Sequence, residues 1–297
     1  MRSPIFWRNL LLATAVLAAM VPLPALTAAD DTITPIARPK RGDFVFQLLP
    51  KAFQRTPDLD MTIFTEVTSY GRLMRTPNPA EPMYYVAHSM GYKPRGDTVA
   101  GDHPPSPEQV SRALAKALTT NGYRNVEGSG QRPTLAIIYF WGSHYRLDPE
   151  MEAMFPEQAR IFRMERAKLV GGRAQLEKMT RALAWGESLT DRTADYEFLR
   201  DQALDDLYYV VASAYDYAAL AHNERRLVWR TTMTVSSRGV AMQESIGPLV
   251  SAAAPYFGRD MQDPQIATHR IKRWEVRLGD SKVIESDVPT PAKPKTK

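Results

Sequence analysis

The chain has 297 residues, 44% of them hydrophobic and 24% charged, a globular composition that excludes wholesale disorder and leaves room for one sizeable core. It contains no cysteine, which excludes disulfides, thiolate metal sites and thiol nucleophiles. The net charge of +5 is concentrated at the ends: Arg2 and Arg8 supply two units and the segment Ser286 to Lys297 a net two, leaving about +1 between them. That balance argues against nucleic acid, whose binders carry a dense basic face.

The first 29 residues read as a secretory signal. Arg2 and Arg8 form the positive region, Leu10 to Val21 (LLLATAVLAAMV) the apolar region, and Leu26 to Ala29 the small residues for cleavage after Ala28 or Ala29. The apolar run stops at Pro22, short of the roughly 20 residues that span a bilayer, and no later stretch is long and apolar enough to do so. The expectation is an exported protein, periplasmic or extracellular, with no membrane span in the mature chain.

Residues 30–42 are a polar, proline-bearing leader into a single domain expected over 43–285. Phe44 to Leu49 is apolar and stops at Pro50. Met61 to Val67 alternates and is rich in β-formers, which predicts a strand; Met83 to Ala87 predicts a shorter one. Pro107 to Asn121 is the clearest helix. Ser106 and Gln109 make a capping box, Pro107 suits the first turn, and Val110, Leu114, Ala117 and Leu118 recur at helical spacing before Gly122. Pro133 to Tyr145 (PTLAIIYFWGSHY) carries no charge from Leu135 to Trp141 and predicts a strand buried on both faces near the centre of a sheet.

Asp148 to Asp206 reads as a helical insertion. Pro156 to Val170 and Arg173 to Trp185 are two helical patterns broken at Gly171-Gly172, and a third begins near Asp195. Tyr208 to Leu220 and Leu227 to Val235 predict a hairpin, with Val228, Arg230, Thr232 and Thr234 on the wetter face of its second strand. Met242 to Phe257 predicts a helix, kinked at Pro248 or starting there, and Arg270 to Leu278 an edge strand. Residues 286–297 form a Lys/Pro tail with the composition of a disordered segment. The fold class expected is α+β: a mixed, largely antiparallel sheet with helices mainly on one face, plus the insertion.

Few constellations carry chemistry. Ala87-His88-Ser89-Met90-Gly91 resembles the nucleophile elbow of α/β-hydrolase lipases, with Ser89 as nucleophile and Asp216 or Asp260 and His222 or His269 following in chain order. The elbow must open a helix, however, and Tyr92 to Asp97 is a poor helix start. Trp141, Ser143, His144 and Tyr145, at the exit of the buried strand, are the binding candidates, because ligand sites gather at the carboxyl ends of such strands. The five histidines show no metal-binding spacing. No metal or cofactor is expected.

Three blocks taken together, Phe64 to Thr68, Tyr84 to Ala87 with Gly91-Tyr92, and Ile138 to His144, resemble a family of secreted bacterial proteins of unknown function over roughly Asp43 to Asp280. The later half, with Leu227-Val228-Trp229-Arg230 in a hairpin followed by a helix and a last strand, is similar in layout to small envelope domains of unknown function. Neither resemblance implies a reaction, a cofactor or a catalytic residue. The expected function is a non-catalytic binding or structural module of the cell envelope, with an envelope protein or polymer as the partner class; the alternative is a serine hydrolase using Ser89.

Overall fold

The structure is a computed structural model that describes residues 49–97, 103–185 and 193–273, without the side chains of 183–185. The segments expected to be signal, leader and tail, and most of Phe44 to Leu49, lie outside the described residues. Among the described residues, alternating apolar patterns produce seven strands: β1 (Asp58–Val67), β2 (Met83–Tyr92), β3 (Tyr123–Asn125), β4 (Leu135–His144), β5 (Leu207–Asp216), β6 (Leu227–Ser236) and β7 (Gln265–Arg270). They form one mixed sheet in the order β3-β2-β4-β5-β6-β1-β7. β2 runs parallel to β3 and to β4; the other neighbours are antiparallel. With helices packed against this sheet, the fold is α+β.

Strand alternation gives the sheet two different faces. On the first, Ile63, Tyr139, Trp141, Val210 and Met233 are buried in the main core. After the short helix α1 (Ser69–Leu73), helices α2 (Pro107–Thr120) and α7 (Met242–Ala253) cover it, α2 through Val110, Leu114, Ala117 and Leu118 and α7 through Ile246, Leu249, Val250 and Ala253. Each fully buried Leu, Ile or Val in this layer contributes about 1.5–3 kcal/mol of burial energy. The predicted capping box of α2 is present, with the Ser106 hydroxyl and the Gln109 side chain each accepting from the other residue's backbone N–H. Two polar groups buried in the core, the Thr65 and Thr231 hydroxyls, satisfy each other at 2.8 Å.

The second face is met by the helical insertion: α3 (Pro149–Met154), α4 (Pro156–Trp185) and α5 (Ala194–Ala203). A smaller core of Ala167, Val170, Met179, Leu199, Ala203 and Leu207 holds it to the sheet. At Gly171-Gly172 the helical geometry of α4 breaks, and Gly172 takes φ 63°, ψ −148°. A Cβ there would lie 2.3 Å from the Phe64 ring and 2.7 Å from a Glu66 carboxylate oxygen. Glycine therefore allows α4 to bend while lying against β1.

Several boundaries differ from the sequence reading. β2 runs on to Tyr92 instead of stopping near Ala87. β5 ends at Asp216, whose carboxylate caps the short helix α6 (Tyr217–Ala221) by accepting from the Ala219 N–H; that side-chain cap halts the strand before Leu220. α7 begins at Met242 and carries Pro248 in its interior. The edge strand β7 lies at Gln265–Arg270, so the expected strand from Arg270 overlaps it by one residue and mostly falls outside the described residues. β5, not β4, is the middle strand of the sheet. Among the described residues no helix is long and apolar enough to cross a membrane.

Candidate functional site

The insertion leaves part of the second face open. A cleft of about 920 Å³ lies between that face, α4, the end of β2 and the β5–β6 connection. Strand register builds its floor. His88 on β2, Ile138 on β4, Ser213 on β5, Arg230 on β6 and Glu66 on β1 stand in one row across five strands. The adjoining row is Phe140, Val211 and Thr232. The middle of the floor is thus apolar, and Lys93 Nζ lies 5.2 Å from the centre of the Phe140 ring.

One end of the floor depends on Gly142. A Cβ at this position would stand 2.1 Å from the Lys93 carbonyl oxygen, which instead accepts a 2.6 Å hydrogen bond from the Tyr209 hydroxyl. Burial pushes that phenol up to about 12.

Charge in the cleft is asymmetric. Arg95, Lys168, Arg225 and Arg230 line it, against Glu66 and Glu165. Both carboxylates are engaged by the protein: Glu66 accepts from the Arg173 backbone N–H at 3.3 Å, and Glu165 lies 3.2 Å from His144 Nε2. Among the described residues none of the four cations is in an ion pair. Arg230 is half-buried in the floor, where its Nε donates to Ser213 Oγ at 3.1 Å. Glu66 stands opposite it on β1 but is turned to α4.

His144 closes the wall beneath α4. It is 1% exposed, edge-on to Phe162, and burial followed by the neighbouring Arg166 charge holds its pKa below the ordinary histidine value. Arg166 itself is buried and donates to the carbonyls of Ala203 (2.9 Å) and Tyr145 (3.4 Å), tying α4 to the end of α5 and of β4. Burial lowers its pKa to about 10.

Of the four binding candidates, His144 alone lines the cleft. Trp141 is buried in the main core, Ser143 is buried with its hydroxyl 2.9 Å from that of Tyr92, and Tyr145 packs edge-on against Tyr208. The nucleophile elbow expected of the hydrolase alternative does not form at Ser89. β2 does not turn into a helix after it, as a nucleophile elbow must, but continues as strand through a register shift to Tyr92. Ser89 Oγ accepts from the Gly91 N–H at 3.2 Å. Asp216 caps α6 and accepts from the Tyr70 hydroxyl, while Asp260 pairs with Arg72. Among the described residues no carboxylate–histidine pair is bonded to Ser89.

The cations of the cleft were not among the sequence candidates. Their signal was partial: the wetter face of β6 contains Arg230 and Thr232, but nothing in the sequence says that it meets the Ile138/Phe140 side of β4 beneath α4.

No family model matches the chain, and no curated protein matches it. Solved structures similar to it include a PelC variant dodecamer from Paraburkholderia phytofirmans, with 9% identity and a TM-score of 0.29 over 68% of this chain and 99% of that one. Another is a PDZ domain protein from Parabacteroides distasonis ATCC 8503, with 10% identity and a TM-score of 0.35 over 72% of this chain and 39% of that one.

Proposed function

We propose that the protein is an exported, non-catalytic binding module of the cell envelope, and that its ligand is a small molecule seated between the sheet and α4. The N-terminal signal pattern supports export. The observation that carries the binding reading is the cleft itself. Its volume of about 920 Å³ falls in the range of small-molecule sites, and its lining combines an apolar floor with a few convergent polar groups.

The test is a thermal-shift panel spanning anionic, neutral and cationic small molecules, run on the mature protein and on Ile138→Trp. Ile138 is half-buried in the floor, so the larger side chain fills the cleft from below. The expected result is a ligand that raises Tm of the native chain and leaves Ile138→Trp unmoved. If no compound of any charge class separates the two proteins, the cleft is not a ligand site.

A further inference from the structure

We infer that the ligand of this cleft is an amphiphilic acid: one carboxylate or phosphate head, paired with Arg230 and with the cations at the mouth, on an apolar body lying over Ile138, Phe140 and Val211. The inference rests on the binding reading above and narrows it to one ligand class.

Three observations point there. The first is the charge count: four cations line the cleft without an ion-pair partner among the described residues, and its two carboxylates are already engaged. The second is the place of Arg230. Its guanidinium is half-buried in the floor and held from behind by Ser213, which uses only its Nε. The remaining donors form the planar fork that suits a carboxylate or a phosphate. The third is size. An inorganic anion would occupy a small part of about 920 Å³, whereas the row of Phe140 and Val211 beside Arg230 offers an apolar bed to a longer molecule. The chain's own C-terminal segment does not complement the site, since it carries three lysines and one aspartate.

The experiment uses the mature chain stripped of bound lipid, titrated calorimetrically below the micelle threshold with laurate, dodecyl phosphate, dodecanol and dodecyltrimethylammonium. Laurate or dodecyl phosphate is expected to bind one to one, about 10- to 100-fold more tightly than dodecanol, the factor that a charge-assisted hydrogen bond supplies. The cationic amphiphile is expected not to bind. The ratio of the two acids separates a carboxylate head from a phosphate head. Arg230→Gln should remove most of the preference for the acid over dodecanol. Lys168→Gln, on the exposed side of α4, should weaken the acid by a few-fold and reduce the loss in salt.

Equal affinity for laurate and dodecanol, or an unchanged acid preference in both variants, would overturn the inference while leaving a binding module. So would tighter binding of the cationic amphiphile. Sedimentation with anionic phospholipid vesicles, without binding of either soluble acid, would replace the soluble ligand by a membrane surface and overturn it as well. Absence of every amphiphile from the native chain, together with a silent thermal-shift panel, would remove both readings.

Discussion

His144 shows what a single buried ring costs. A histidine in the unfolded chain titrates near pH 6.5, whereas burial and Arg166 hold His144 lower in the fold, against the opposing pull of Glu165. As pH falls through ~6.5 the unfolded chain takes up a proton that the folded chain does not, so stability declines until the folded pKa is reached. Above that window the ring adds nothing to the pH dependence. Urea midpoints measured from about pH 8 to about pH 5 should therefore drop more in the native protein than in His144→Gln. An identical decline in both would assign the acid sensitivity to other groups. Arg166, one residue beyond Glu165, tells the same story from the cationic side: its charge is buried, and among the described residues backbone carbonyls stand where a close carboxylate partner would.

At the scale of elements, the decisive device is the break in α4. Gly172→Ala puts a Cβ into the Phe64 ring and onto a backbone region that essentially only glycine adopts. The expected loss is on the order of 3 kcal/mol, from backbone strain plus overpacking, read as a lower urea midpoint. A loss below about 0.5 kcal/mol, the size of an ordinary surface substitution, would show that α4 can shift off β1 without cost. The break was legible in the sequence as Gly171-Gly172 inside a helical pattern, and so was the capped start of α2, because both are local chemistry. The uncharged run of β4 was legible as a buried strand for the same reason. The cleft was not. Ile138, Ser213 and Arg230 come from three strands, and only register places them in one row. The strand-exit residues Ser143 and Tyr145 looked like a site because they are polar and follow a buried run, yet each is spent on a contact inside the fold. Asp216 was invisible as a helix cap because the strand pattern of Tyr208 to Leu220 runs straight through it.

For the whole molecule, the two faces share their strands. β5 sends Val210 and Ala212 into the main core and Leu207 into the smaller one, so neither layer can be lost while the other stays intact. Unfolding is therefore expected as one transition, with tryptophan fluorescence, which senses buried Trp141 and Trp229, coinciding with far-ultraviolet circular dichroism, which senses the helices. Separate midpoints would mean that the insertion opens on its own.

The place of β1 in the strand order has a consequence for how the chain comes into being. This ten-residue strand is made early, yet both of its neighbours, β6 and β7, are made late; Thr65 and Thr231 meet across 166 positions. β2, β3 and β4 can pair as soon as they have been synthesised, but β1 waits for nearly the whole polypeptide before it finds an edge. Closing so long a loop comes before any reward from the pairing, which makes folding slow. The nascent chain thus carries an unpartnered apolar strand through most of its synthesis, and shielding by a holdase suits that interval.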